Sequence, residues 1–258
     1  METDPALSAR EPPDQTAIGM RRARRGFLLA AAAGVALAGW PRRAPAGGRK
    51  LRIGIIGAGR IGGTLGELWA QAGHEVFLSS RHPKRLSELA AKIGPAARTG
   101  LPREAAAFGE VVLIAVPYGA LPQIGRDYAT ELHGKIVLET GNPQPVRDGD
   151  MANAARAEGT GTTSARFLPG TRLVRAFSSV PHFQLRIRAQ RNGERIAIPL
   201  AADDPAALAV AAQLVEDAGF EPVVVGGLAR AREFDVGTAA FGRALSASEL
   251  RRTLGLAR

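Results

Sequence analysis

The 258-residue sequence predicts an α/β fold, a Rossmann-type doubly wound parallel sheet with a small C-terminal α/β extension. Three observations carry that expectation. An apolar run of strand length, Leu51-Arg52-Ile53-Gly54-Ile55-Ile56, leads straight into Gly57-Ala58-Gly59-Arg60-Ile61-Gly62. The glycine pattern opens a helical one, marked by Ile61, Leu65, Leu68 and Trp69. Beyond it, apolar runs alternate with helical segments, as parallel strands joined by crossover helices require.

The elements follow in order. Val76 to Arg81 reads as the second strand, and Pro83 to Ile93 as a helix with proline in its first turn. Gly94 to Leu101 is a loop with room for a short strand, and Pro102 to Phe108 a short helix. Val111 to Val116 is apolar throughout, the mark of a strand buried on both faces. It ends at Pro117-Tyr118-Gly119, and Leu121 to Thr130 is helical. Lys135 to Glu139 is the next strand, ending in Thr140-Gly141-Asn142-Pro143. Gln144 to Asp150 reads as a loop, Met151 to Glu158 as a helix and Gly159 to Thr163 as a small polar turn. Leu173 to Phe177 and Arg195 to Leu200 are further strands. Asp203-Asp204-Pro205 starts a helix over Ala206 to Asp217 that Gly219 closes, and Pro222 to Val225 is the last strand. Leu245 to Leu254 is an amphipathic helix capped near Ser246 or Ser248. The expected organisation is a leader over residues 1–50, a nucleotide-binding domain over 51–143 and a substrate-side extension over 144–258.

The chemistry of the glycine pattern is that of a dinucleotide cradle. Gly57 permits the tight turn, Gly59 lets backbone approach a pyrophosphate, and Gly62 lets helix pack on strand. The free N–H groups at the helix start, around Ala58, Arg60 and Ile61, attract phosphate. The second strand ends in Ser80-Arg81, where an acid would take the 2′-hydroxyl of NAD. Ser80, Arg81, Lys84 and Arg85 instead suit the 2′-phosphate of NADP.

Composition bounds the rest. There is no cysteine, which excludes disulfides, thiolate nucleophiles and cysteine-held metals. The net charge of +10 divides evenly between the first fifty residues and the remainder. With 5% aromatic residues and no aromatic-interleaved basic patch, the charge suits a polyanionic small ligand, and nucleic acid is not an expected partner. Neither Gly-x-Ser-x-Gly nor His-Glu-x-x-His occurs.

Arg24-Arg25-Gly26-Phe27-Leu28, followed by the Ala-rich run to Ala38, resembles a twin-arginine export signal. Cleavage sites present themselves after Ala36-Leu37-Ala38 and after Ala44-Pro45-Ala46. The run is too short for an ordinary membrane span. This leader implies export, with the twin-arginine machinery as partner; a cytoplasmic location is the alternative.

From about Leu51 onward the chain resembles the NADPH-dependent reductases of coenzyme F420 and related dinucleotide-binding proteins. The resemblance is carried by Ile53 to Gly62, Ser80-Arg81, Ala115-Val116-Pro117, Gly141-Asn142-Pro143, Leu173 to Phe177, Asp217 to Pro222 and Gly226 to Arg232. It implies a homodimer that moves a hydride between NADP and a deazaflavin co-substrate, without metal. By matched position, Val116, Pro117, Asn142 and Ala176 line the nicotinamide side, and Pro181 shapes the opposite wall. An NADP-binding sensor without turnover, and a reductase of a flavin, quinone or ferric acceptor, are the competing readings.

His74, His82, His133 and His182 lack metal-ligand spacing and read as solvent-facing or locally hydrogen-bonded. Glu139, at a strand end, suits a site acid as well as a buried structural role. Arg186, Arg188, Arg191 and Arg195 suit either a solvated face or attraction of a polyanionic acceptor.

Overall fold

A computed structural model describes residues 49–188 and 194–257, without the side chain of Arg188. Residues 1–48 of the leader read over 1–50, and Arg191 of the basic run, lie outside the described residues. The elements are β1 Arg52–Ile56, α1 Arg60–Gln71, β2 Glu75–Ser79, α2 Ser87–Ile93, β3 Ala97–Gly100, α3 Pro102–Phe108 and β4 Val111–Ile114. Then come α4 Leu121–Asp127, α5 Ala129–Leu132, β5 Ile136–Glu139, α6 Pro145–Asp148, α7 Asp150–Glu158, α8 Thr160–Phe167 and β6 Arg172–Arg175. The chain closes with α9 His182–Arg188, β7 Ala197–Ala201, α10 Pro205–Asp217, β8 Glu221–Gly226 and α11 Ala247–Thr253.

The strands form one sheet in the order β3-β2-β1-β4-β5-β6-β7-β8. The first six run parallel, β7 turns antiparallel to β6 opposite Arg175 and Ala201, and β8 follows β7 in parallel. The chain reverses direction along the sheet between β1 and β4, which opens a crevice above their carboxyl ends. The extension expected after residue 143 joins the same sheet, because β6 pairs with β5 from Ile136–Arg172 to Glu139–Arg175.

Two-residue alternation explains why the fold is doubly wound. Ile53, Ile55, Val111, Leu113, Leu138 and Val174 face one core, with Trp69, Phe177, Leu214 and Phe220. Ile56, Val112, Ile114, Val137 and Leu173 face the other, with Tyr118 and Leu121. Strands buried on both faces need helices on both, and β4 and β5 are buried at every position. Trp69 ties the first layer together by donating its indole N–H to the Leu214 carbonyl at 2.7 Å. A third core joins β7 and β8 to α11 through Ala197, Val223, Phe234 and Leu250.

The chain departs from its local sequence signals at several points. The strand expected to reach Val116 ends at Ile114. Gln144 to Asp150 holds the one-turn α6, started by Pro145. Gly159 to Thr163, read as a polar turn, begins helix α8. Its Thr-Gly-Thr-Thr-Ser run has low helix propensity, so no local signal marks it. Its start is completed from far along the chain. The Asp235 carboxylate accepts from the Thr160 amide at 3.0 Å and from the Thr160 hydroxyl at 2.5 Å. Helix α9 and a 3-10 segment over Leu228–Phe234 were not anticipated.

The expected caps are present. Asp204 Oδ1 accepts from the amides of Ala206 and Ala207 at 2.8 and 3.1 Å. Ser246 forms a capping box with Glu249 at the start of α11. Arg172 beside Asp204, together with those amides, lowers its carboxyl to about 2.

Two predictions follow from these caps. Asp235→Ala should lower stability by about 1–2 kcal/mol in denaturant unfolding, with lost amide-exchange protection concentrated in α8. An unchanged midpoint would remove the long-range cap. Asp204 binds its proton less readily when folded, so its contribution is present above the ordinary carboxylate range and fades as pH falls through about 2. Asp204→Asn should therefore flatten the acid limb of the stability–pH curve; an identical limb in the variant would contradict this.

Candidate functional site

The turn between β1 and α1 has the form its glycines require. Gly57 adopts φ +94°, and a Cβ there would lie 2.6 Å from the Ala115 carbonyl oxygen and 2.6 Å from Val116 Cγ1. A Cβ on Gly62 would lie 2.3 Å from the Gly57 oxygen, so helix and turn touch through backbone. The amides of Gly57 and Ala58 donate to the Ser79 carbonyl at 3.2 and 2.9 Å, fastening the turn to the end of β2. Gly59 is different. A Cβ there would meet nothing within 4 Å, so the turn offers backbone to open space at the N-terminus of a twelve-residue helix. Arg60 is exposed beside it, whereas Ile61 packs against the core.

The end of β2 supplies the charge. Ser80 follows the strand, its amide on the Gly100 carbonyl at 3.3 Å and its hydroxyl accepting from the His82 amide at 3.1 Å. Arg81 is exposed, and a 3-10 turn, Pro83–Leu86, carries exposed Lys84 and Arg85. Among the described residues no ion pair forms at Arg60, Arg81, Lys84 or Arg85, so these cations remain available to an anion.

The ends of β4, β5 and β6 form the rest of the crevice floor. Val116 is half-buried against Gly57, and Pro117 is exposed. Asn142 donates its side-chain amide to the Ser178 carbonyl at 2.8 Å, while its Oδ1 is buried without a hydrogen-bond partner. Ala176 is fully buried in the first core, its amide on the Glu139 carbonyl at 3.2 Å. Its methyl is thus core packing, and enlarging it to Leu carries an overpacking cost of about 1–3 kcal/mol. Phe177 follows in the left-handed region, φ +57°, and its ring meets Trp69 and Phe220 edge-on.

Beneath this floor lies a buried polar cluster. Glu139 and Arg175 are neighbours in register at the last pair of β5 and β6, and their side chains form an ion pair with no solvent exposure of the guanidinium. Glu139 also accepts from the Gly141 amide, and the Ser164 hydroxyl lies 3.0 Å from its Oε2. Arg175 donates to the Gly141 carbonyl at 3.0 Å, and Asp235 stands 3.6 Å from its second terminal nitrogen. Burial pushes the Glu139 carboxyl up, against the pull of Arg175, Gly141 and Ser164. Burial also opposes the Arg175 charge, but Glu139 and Asp235 outweigh it and hold its pKa above the ordinary value. Tyr118, 3.1 Å from Ser164, is pushed up to about 12, chiefly by burial. Glu139 is therefore a structural carboxylate enclosed beneath the crevice, the second of its two sequence readings.

His74 is buried too. Its Nδ1 accepts from the Leu51 amide at 3.1 Å and its Nε2 lies 2.9 Å from Asp217. His182 is half-buried at the start of α9 with its ring on Phe183. Open concavities of about 230 and 350 Å³ occur near Lys135 and Leu173, at the opposite edge of the sheet. They are shallow and lie away from the glycine turn, so the crevice at the strand ends is the better ligand site. The residues present fit a dinucleotide: an open backbone cradle, free cations beyond it, and an unpartnered buried acceptor on Asn142. Ser178 also has a buried hydroxyl without a partner; no sequence motif marks it, and only the burial of its hydroxyl reveals it.

Comparison with known proteins agrees with this geometry. Residues 52–143 match the family model described as NADP oxidoreductase, coenzyme F420-dependent. Metalloreductase STEAP3 of Rattus norvegicus is 27% identical over 202 residues, which cover 77% of this chain and 37% of that protein. The chain thus spans little more than a third of that relative. A hypothetical protein of Sinorhizobium meliloti superposes with a TM-score of 0.66 at 25% identity, covering 77% of this chain and 96% of that one. A structure described as an F420-dependent NADP reductase of Arthrobacter sp. FB24 gives 0.63 at 23% identity, covering 76% and 99%, and supports the fold. The family-model match over residues 52–143 takes in the glycine turn, the basic end of β2 and the ends of β4 and β5, on a sheet of Rossmann-like α/β topology.

Proposed function

We propose that the protein transfers a hydride between NADP(H) and a deazaflavin-type acceptor, coenzyme F420. The observation that carries this reading is the open backbone cradle at Gly59 with unpaired Arg81, Lys84 and Arg85 beyond it, inside the segment matched to the family model. A bound nicotinamide supplies the hydride chemistry, so the chain's task is to bind, orient and exclude water. The α1 N-terminus and Gly59 receive the pyrophosphate. Ser80 donates to a 2′-phosphate, and Arg81, Lys84 and Arg85 add charge to it. Val116, Pro117 and Asn142 border the reacting ring. The Glu139–Arg175 pair holds Gly141 by both its backbone polar groups, so that border is rigid. No titrating side chain is required at the reacting atoms, and the rate should depend on ring placement.

A second reading, a reductase of a ferric complex, is favoured by the metalloreductase relative. It shares the nucleotide site and differs only in the acceptor. We further propose that the Arg24-Arg25 leader exports the folded protein, which then carries a tightly held nucleotide from the cytoplasm.

Three outcomes test these assignments. Arg81→Ala should weaken NADPH roughly tenfold, the loss of one charge-assisted contact, and leave NADH nearly unchanged in titration. Equal wild-type affinity for the two nucleotides would sink the 2′-phosphate site. In stopped-flow mixing with deazaflavin, flavin, quinone and ferric acceptors, Val116→Ala should slow hydride transfer roughly tenfold or more while changing NADPH affinity little. If no acceptor oxidises bound NADPH, the protein is a nucleotide-binding protein without turnover. Arg24→Lys with Arg25→Lys should hold the protein in the cytoplasm on fractionation, and an intact Met1 on cytoplasmic wild-type protein would contradict export.

A further inference from the structure

Two buried polar atoms at the crevice floor lack partners, and they sit on adjacent strand ends. Asn142 Oδ1 follows β5, and Ser178 Oγ follows β6. Ser178 is 4% exposed. The two residues are tied, because Asn142 Nδ2 donates to the Ser178 carbonyl at 2.8 Å. That bond fixes which way the Asn142 amide points and leaves Oδ1 as a pure acceptor. The Ser178 hydroxyl retains a proton to donate, and it turns about one bond without backbone movement. Leaving a buried polar atom without a partner is costly, so a rigid frame that retains two of them points to a ligand.

The frame is rigid. Gly141 is held through its amide by Glu139 and through its carbonyl by Arg175, and there is no room for a side chain there, since a Cβ would lie 2.6 Å from Glu139 Oε1. On the other side, Phe177 holds φ +57° with its ring set edge-on against Trp69 and Phe220, which anchors the backbone leading into Ser178.

We propose that Asn142 Oδ1 and Ser178 Oγ form a two-point clamp for an amide edge, a ligand N–H beside a ligand C=O. The acceptor Oδ1 takes the N–H, and the hydroxyl donates to the carbonyl. This proposal rests on the nucleotide-binding reading above. Two ligands of that reading carry the edge: the carboxamide of the nicotinamide, and the imide edge of a flavin or deazaflavin ring.

Calorimetric titration of the full chain separates them. One arm compares NADPH with its 3-acetylpyridine analogue, which keeps the carbonyl and replaces the amide NH2 by methyl. The other compares lumiflavin with N3-methyllumiflavin on protein saturated with NADP+. Wild type should prefer the N–H-bearing ligand about tenfold in one arm, and that arm names the source. Asn142→Ala should erase the preference. Ser178→Ala should weaken both members of that pair several-fold and equally, because both retain the carbonyl. Thermal melts of the unliganded variants check that each is folded, and Ser178→Ala, the smaller change, stands alone if Asn142→Ala is not. A wild type that binds NADPH but shows no preference in either arm overturns the clamp and leaves the nucleotide site intact. A preference that survives Asn142→Ala in folded protein, or a Ser178→Ala variant that binds both members as wild type does, also overturns it. Failure of wild type to bind NADPH at all removes the nucleotide reading and the clamp with it.

Discussion

The Glu139–Arg175 ion pair is the constraint on which the crevice floor depends. It joins the last residues of two neighbouring parallel strands, and it does so where the sheet gives way to loops. Both partners reach forward to one residue, Gly141, so the turn leaving β5 is held by side chains instead of by ladder bonds. Asp235 extends the arrangement. It faces Arg175 and at the same time receives the Thr160 amide and hydroxyl, so the start of α8 and the strand ends share one electrostatic centre. Ser164 on α8 and Tyr118 after β4 close the ring. Four segments far apart in sequence thus converge on one buried guanidinium.

Such a centre is a poor source of net stability. Taking two ions out of water costs several kcal/mol, and their attraction returns about as much. What it supplies is direction. Apolar residues of similar volume could fill the same space, but they could not hold both the N–H and the C=O of Gly141. The arrangement is one-sided in consequence: loss of Arg175 would strand a buried carboxylate, a penalty of about 3–5 kcal/mol, far larger than the net worth of the pair.

The first half of the fold was legible because its signals are local. Continuous apolar runs mark β1, β4 and β5, and glycines whose Cβ atoms would collide with backbone mark the turn into α1. Asp204-Pro205 and Ser246 announce helix starts through their own side chains. What was missed depends on distant partners. Helix α8 draws its cap from Asp235, seventy-five residues away, and its own Thr-rich sequence argues for a turn. Helix α9 is seven residues with Phe183 and Ile187 exposed, so it offers no amphipathic pattern to read. The same division holds at the candidate site. The cradle and the basic end of β2 are sequence motifs, whereas Ser178 is one serine among many until burial shows its hydroxyl unpartnered.

Charge placement links the two halves of the crevice. Its outer end carries cations that stay in water, free of carboxylates, where a phosphate can reach them and salt can screen them. Its inner end holds Arg175 buried and committed to Glu139 and Asp235. An anionic ligand entering from solvent is therefore drawn to the Arg81 side, not to Arg175, which two carboxylates already neutralise. The ring end of the same ligand then meets Asn142 and Ser178, which recognise neutral hydrogen-bonding edges. This gradient, from free charge to paired charge to neutral polar atoms, orients a molecule that is polyanionic at one end and aromatic at the other, and it does so before any reacting atoms meet.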